Sequence, residues 1–415
     1  VLEKKGGSKM TKKRTLRHLG LFVFILTACL VSFNGASAQE RKQILIGAPL
    51  SLSGILAMDG IEQQWAYEQS ANDINKTGGI FVKEFNKKLP IKLVVADDES
   101  DSGKAAAAVE KLIKINNVDL LLSTHSTPLV LPTCVTAEKY KKLYHATTIW
   151  PPLWAEQKFK WSTAFFFTPM QGSEVPFLIF KSLPESERPK NIALLMEDSI
   201  DGQAFGGTFR ENAKKYGYTY ALDEPWAVGA KDYSSQILKA KAKKVDAMFI
   251  FGSPQDSITL VRQIKENGLN VKYIHGWKGT WTSEFWSALG KDAQYVMLDG
   301  FWSESYPYPG AKELGERYAK KFNKRSVSTG LYYALAQILW QAIEKAGSLD
   351  SAKVKQAIAG TEFKGTVMGN VKYDKDGLAL CESTGNQWWD GKQMLVYPFV
   401  KGAWKVRMAP PWDKR

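Results

Sequence analysis

From Gln43 onward, short runs of aliphatic and β-branched residues alternate with longer stretches in which apolar positions recur every three or four residues. The first series predicts strands at 44–48, 91–96 and 118–122, separated by helices near 60–75 and 104–115. A second series predicts strands at 192–196, 219–222 and 247–251, with helices near 202–216 and 233–243. Alternation of this kind buries a parallel sheet between helices, so two α/β lobes of like topology are expected. The repeat is also local. Val118-Asp119 precedes Leu120-Leu121-Leu122 as Val245-Asp246 precedes Ala247-Met248-Phe249, each pair following a lysine-rich amphipathic helix. Beyond Tyr295 the pattern turns to helices near 310–322, 329–346 and 351–359, then to a Trp- and Tyr-rich β-like stretch over 387–400. These late elements must return to one lobe or the other, so the chain crosses between lobes more than once.

Composition adds little. Of 415 residues 44% are hydrophobic, 12% aromatic and 24% charged, a globular make-up that excludes collagen, coiled coil and wholesale disorder. Charge is more telling. The formal net charge is +14, but the first 38 residues hold seven of the bases and only Glu3 among the acids. The rest carries 49 bases against 41 acids, a net +8 spread over amphipathic helices. Solvated helix faces account for that spread better than a nucleic-acid surface, since there is no arginine-rich arm and no zinc-finger spacing. After Met10 come Lys12, Lys13, Arg14 and Arg17, a mostly apolar run over 19–33, and Ala36-Ser37-Ala38. This is the order of a secretory signal cleaved after Ala38, and it implies a periplasmic location. Leu26-Thr27-Ala28-Cys29 offers the alternative of a lipid anchor at Cys29. Cys134 and Cys381 remain after processing, too few for a disulfide framework, although export permits one bond.

In open α/β sheets ligands bind beyond the carboxyl ends of the strands. Those ends carry Leu50-Ser51-Leu52-Ser53-Gly54, Ser123-Thr124-His125-Ser126-Thr127 and His145-Ala146-Thr147-Thr148-Ile149-Trp150 in the first lobe. The second lobe offers Glu197-Asp198-Ser199-Ile200-Asp201-Gly202, Gly252-Ser253-Pro254 and His275-Gly276-Trp277-Lys278-Gly279. Hydroxyls at free helix N-termini suit a carboxylate, and Ser126, Thr127, Thr147 and Thr148 are placed for that role or for capping. Trp150, Trp154, Trp277, Trp281 and Trp302 favour a ligand with an apolar or ring-bearing part. There is no Gly-x-Ser-x-Gly elbow, HExxH helix, Cys-x-x-Cys pair or Gly-x-Gly-x-x-Gly turn. Ser102-Gly103-Lys104 lacks the earlier glycine and the following hydroxyl of a phosphate loop and reads as a helix start. His125, His145 and His275 each follow or sit in a strand, but without metal-ligand spacing they read as separate hydrogen-bonding residues. Neither cofactor nor metal is expected.

Taken in order, these segments resemble the periplasmic solute-binding proteins of the branched-chain amino acid type that serve ABC importers. The resemblance is carried by Ile44-Leu45-Ile46-Gly47-Ala48-Pro49-Leu50-Ser51-Leu52-Ser53-Gly54, by Asn75-Lys76-Thr77-Gly78-Gly79-Ile80 and by Val94-Val95-Ala96-Asp97-Asp98-Glu99-Ser100-Asp101. Asn191-Ile192-Ala193-Leu194-Leu195 and Val261-Arg262-Gln263-Ile264-Lys265-Glu266-Asn267-Gly268 extend it over nearly all of the mature chain. It implies a two-lobed type I periplasmic-binding-protein fold with three crossovers, each lobe a mostly parallel sheet flanked by helices. The N-terminal lobe would span 43–165 plus 302–370 and the C-terminal lobe 166–301 plus 371–410. It further implies a monomer that binds an amino acid or organic acid without chemistry and docks on a permease with its ATPase subunits. The family's Ser/Thr and Ala-Thr stretches, which hold ligand carboxylate and amine, are similar to Ser126-Thr127 and Ala146-Thr147-Thr148. His125, Trp150 and Ser253 adjoin them in the expected cleft. Met58-Asp59 stand where the family has an aromatic residue, and Lys278 stands where it has the glutamate that meets the ligand ammonium. A cation there favours an organic acid, unless Asp201 supplies the missing ammonium partner. The rival readings are a secreted enzyme using Asp198, Asp201 or the histidines, and a ligand-sensing receptor module.

Overall fold

The computed structural model describes residues 41–400 and 402–415, and the signal segment and Cys29 lie outside the described residues. The first half of the chain forms β1 (Ile44–Leu50), a small hairpin of β2 (Ile80–Val82) and β3 (Lys87–Leu89), then β4 (Ile91–Asp97), β5 (Leu120–Leu122), β6 (Tyr144–Ala146) and β7 (Ser162–Phe165). The second half adds β8 (Ile192–Glu197), β9 (Tyr220–Trp226), β10 (Ala247–Gly252), β11 (Tyr273–Lys278) and β12 (Met297–Gly300). A second hairpin, β13 (Glu362–Thr366) with β14 (Gly369–Lys372), precedes β15 (Leu378–Ala379), β16 (Thr384–Trp389) and β17 (Lys392–Tyr397). Strands such as β8 and β10 are buried along their whole length, as expected of parallel strands covered on both faces.

Two larger sheets result. One runs β15-β7-β6-β5-β1-β4 and the other β17-β16-β12-β11-β10-β8-β9. Setting aside the late strands, each lobe shows one order, in which the first strand lies between the second and the third. That is a doubly wound sheet with its crevice at the reversal point. All pairings among β1 and β4–β7, and among β8–β12, are parallel, whereas β16 runs antiparallel to β12 and to β17. Between β7 and β8, between β12 and β15, and between β15 and β16 the chain passes from one sheet to the other, giving the three crossovers. The expected boundary at 371 needs correction. Leu378 and Ala379 pair with Ala164 and Phe165 of the first sheet, so the last crossing falls after Ala379.

The helices are α1 (Ala57–Lys76), α2 (Ser102–Lys114), α3 (Thr127–Lys139), α4 (Pro151–Glu156), α5 (Pro169–Ser182), α6 (Ile200–Lys215), α7 (Ser234–Ala242) and α8 (Pro254–Glu266). α9 (Ser283–Leu289), α10 (Ala311–Phe322), α11 (Thr329–Ala346) and α12 (Ser351–Ile358) complete them. Several begin where a side chain satisfies the free backbone N–H groups. Asp101 caps α2, Ser199 caps α6 and Ser253 caps α8, while Thr168 and Gln171 form a reciprocal capping box on α5. No helix among the described residues is long and apolar enough to cross a membrane. Cys134 and Cys381 are buried free thiols, and burial raises Cys134 to about 12.

Candidate ligand-binding site

The strand ends of the two lobes meet around a narrow cavity lined by His125, Ser126, Thr148, Trp150, Phe166, Asp201, Phe251, Lys278, Trp281 and Asp299. His125 and Ser126 lie between β5 and α3, Thr148 and Trp150 between β6 and α4, and Phe166 just past β7. From the second lobe, Asp201 opens α6, Phe251 and Lys278 close β10 and β11, and Asp299 sits in β12. The lobes touch directly. Ser126 Oγ donates to Asp201 Oδ2 at 2.7 Å, and Trp150 packs on Phe205 of α6 at 5.2 Å between ring centroids. His125 meets Trp281 edge-on at 6.3 Å. The space left measures about 20 Å³, room for about one water.

Charge in the cleft is tightly matched. Lys278 Nζ donates to Glu197 Oε1 at 2.6 Å and to Asp201 Oδ2 at 3.3 Å. Burial alone would lower this ammonium, but the charges of the two carboxylates and the bonds they accept outweigh it and raise it above its ordinary value. Glu197 also accepts from Ser199 Oγ at 2.8 Å and from the Ser253 amide at 3.0 Å. His125 is lowered to about 3, first by burial and then by the Lys278 charge, so its ring is neutral at neutral pH. Its Nδ1 shares a hydrogen bond with the Tyr332 hydroxyl at 2.9 Å, and its Nε2 lies 3.9 Å from Asp59. Burial raises both Asp59 and Asp299 well above the usual carboxylate range. Around this assembly several buried polar atoms have no partner in the protein: Trp150 Nε1, Trp281 Nε1, Asp201 Oδ1, Asp299 Oδ1 and Asp59 Oδ2. An aromatic cavity with unmet donors and acceptors, walled by residues of both lobes, has the make-up of a small-molecule site.

The family model described as periplasmic binding protein matches residues 43–384. The chain belongs to this family of solute-binding proteins. Among curated relatives, the Leu/Ile/Val-binding protein BraC3 of Rhizobium johnstonii is 24% identical over 373 residues, covering 89% of this chain and 98% of the relative. Leu/Ile/Val-binding protein homolog 7 of Brucella suis is 25% identical, covering 90% and 96%. Of solved structures, the branched-chain amino acid substrate-binding protein LivJ of Streptococcus pneumoniae, in complex with isoleucine, has a TM-score of 0.76 at 20% identity, covering 85% of this chain and 98% of that one. A solute-binding protein of Rhodopseudomonas palustris in complex with 3,4-dihydroxybenzoic acid has a TM-score of 0.73 at 18% identity, covering 90% and 100%.

Within this periplasmic binding protein, the residues expected at the site fall into two groups. His125, Ser126, Thr148, Trp150, Asp201 and Lys278 line the cavity, and Asp59 lies buried beside His125. The others are held by the fold. Thr127 Oγ1 accepts from the Trp150 amide at 3.3 Å, and Thr147 Oγ1 donates to the Phe165 carbonyl at 2.7 Å. Ser253 is committed to capping α8 through Asp256, and Met58 is half-buried in the first turn of α1. Trp277 stacks on His275 at 4.1 Å and packs against Phe205 and Phe209, so its ring belongs to the lobe core. Lys278 does not present a free cation, because Glu197 and Asp201 more than match its charge. The three histidines are separate, and no group of three or more His, Cys, Asp or Glu among the described residues could hold a metal ion. Sequence reasoning missed Phe166, Phe251 and Asp299, placed Trp281 only among cleft aromatics, and named Glu197 at a strand end without giving it a role. Glu197 carried a readable signal, a carboxylate at the last residue of a wholly apolar strand.

Proposed function

We propose that this chain is the extracytoplasmic solute-binding component of an ABC importer. It captures a small carboxylate-bearing solute, an amino acid or an aromatic acid, by closing two lobes on it and presenting the closed form to a permease. The observation that carries the reading is the bond from Ser126 to Asp201 across the cleft. A hydroxyl donor of one lobe faces a carboxylate acceptor of the other. A solute whose carboxylate accepts from Ser126 and whose polar hydrogen reaches Asp201 replaces that bond with two charge-assisted ones. The apolar remainder of the solute meets Trp150, Phe166, Phe251 and Trp281. Micromolar affinity, about 8 kcal/mol, is within reach of such a set. The names of the relatives, which include Leu/Ile/Val-binding proteins and a protein crystallised with an aromatic acid, support the same solute class. The predicted export signal and the family support a periplasmic site of action.

A thermal-shift screen of leucine, isoleucine, valine, phenylalanine, tyrosine, benzoate and hydroxybenzoates tests it. A ligand at 100 times its Kd stabilises the folded form by about 2.7 kcal/mol, so at least one member is expected to raise Tm clearly and to be recovered unchanged. No shift with any member, or conversion of a bound member, would overturn the reading.

A further inference from the structure

Asp299 is the least explained polar group in the cleft. It is 1% exposed on β12, a strand of four residues otherwise made of Met, Leu and Gly. The register in which His275 faces Met297 and Gly276 faces Leu298 puts it next in line after Trp277, whose other neighbour is Phe251. Asp299 and Phe251 both reach the cavity, but Oδ1 of Asp299 has no partner in the protein. No cation neutralises it, since Lys278 is bound to Glu197 and Asp201. Burial pushes its carboxyl well above the ordinary carboxylate range, against the backbone amides of Asp299 and Lys278, which lower it. The polar groups that share the cavity with it and also lack partners are the indole N–H donors of Trp150 and Trp281 and the acceptor Oδ1 of Asp201.

Resting on the solute class proposed above, in which Ser126 and Asp201 take the charged head, we propose that Asp299 is the specificity-determining residue of the cleft and selects solutes whose ring or chain carries a hydroxyl group. A hydroxyl satisfies a carboxyl and an indole N–H together, because it donates one hydrogen bond and accepts another. A hydrocarbon tail leaves these polar atoms unmet, and an anionic tail is buried without a counterion. A site built to bond a hydroxyl discriminates strongly against the analogue that lacks it, whereas a merely apolar pocket does not reject a hydroxyl.

Calorimetric titration of the mature chain with the matched pairs tyrosine and phenylalanine, 4-hydroxybenzoate and benzoate, and threonine and valine tests this. The hydroxylated member of at least one pair is expected to bind about tenfold more tightly or better. Asp299→Leu is expected to bring that ratio close to one by weakening the hydroxylated member alone, and Asp299→Asn, which keeps a donor and an acceptor, to retain part of it. Equal affinities within every pair that binds, preference for the unhydroxylated member, or an unchanged ratio in Asp299→Leu would overturn the inference and leave the proposed function standing. Failure of all six solutes to bind would overturn the inference, and failure of leucine, isoleucine and the remaining hydroxybenzoates as well would overturn the proposed function with it. If the Leu variant does not fold, the ratio in Asp299→Asn decides the matter, and a ratio there equal to that of the unaltered protein would overturn the inference.

Discussion

Three of the residues that line the cavity hold backbones that side-chain-bearing residues rarely adopt: Ser126 with φ 74°, Thr148 with φ 52° and Lys278 with φ 64°. Each follows or ends a parallel strand, where the chain must turn sharply to bring a side chain over the sheet edge. Left-handed backbone costs an L-residue about 1–2 kcal/mol, and Ser126, with ψ 136°, lies in a region that suits glycine almost alone. Strain at a binding position persists when the side chain is needed there. Comparing two variants isolates it. Ser126→Ala removes the hydroxyl and keeps the strain, whereas Ser126→Gly removes both, so the Gly variant is expected to be the more stable by about 1 kcal/mol in denaturant melts. Both should lose solute affinity alike. A Gly variant no more stable than the Ala variant would show that the turn is relaxed. Sequence reading reached these residues through their types and their place at strand ends. It could not tell which way each would face: Trp277 and Trp281 are four residues apart, yet one is sealed in the core and the other lines the cleft. Strand alternation decides that, and it depends on where the strand stops.

At the scale of elements the two lobes solve one problem in the same way. In each, the helix after the first strand must start almost on top of that strand's end. A Cβ at Gly60 of α1 would lie 1.9 Å from the Ser51 carbonyl oxygen, and one at Gly202 of α6 would lie 2.0 Å from that of Glu197. Glycine is required by close approach, and in the second lobe the approach positions Asp201 and Glu197 around Lys278. Gly202→Ala must push α6 off the strand end. It is expected to cost more than about 2 kcal/mol of stability, above the usual effect of a point change, and to weaken solute binding through Asp201, which is not itself altered. Loss of stability with intact affinity would mean that the carboxylate is placed by something other than this contact. The elements themselves were largely legible. The helix predicted at 329–346 is α11, and the strand predicted at 192–196 is β8 less its last residue. β12 escaped notice because four buried residues show no alternation and include an aspartate, and Asp299 escaped with it. β15 spans two residues, too short for any pattern, and this is why the last crossing was expected too early.

At the scale of the whole molecule, the two lobes of the described residues stand against each other across the cleft, and the proposed capture by lobe movement turns on what holds them there. Room for about one water cannot admit a leucine or a benzoate, and the cavity walls are residues of both lobes. In the proposed capture a solute enters when the Ser126–Asp201 bond breaks and the Trp150–Phe205 contact parts. What opposes parting is modest. One hydrogen bond to a charged group contributes about 1.5–3 kcal/mol, the Trp150–Phe205 ring contact about 0.5–1.5 kcal/mol beyond its area, and the rim ion pair of Lys324 with Glu284, at 2.8 Å, under about 1 kcal/mol. What favours it is the hydration of Asp201, Asp299 and two indoles that stay unmet while the lobes are shut. Opposing terms of that size leave open and closed forms within a few kcal/mol of each other, so the solute shifts a population that already exists. Small-angle scattering reads this shift. For the 373 residues from Gln43 to Arg415 a compact body has a radius of gyration of about 21 Å, and the solute-free protein is expected to exceed it and to contract when solute is added. The Asp201→Ala variant removes the acceptor that both closures share, so it should stay extended at solute concentrations that contract the parent. A radius unchanged by a solute that demonstrably binds would mean that the lobes rest shut, and that the solute enters by local movement of the loops bearing Trp150 and Trp281 instead.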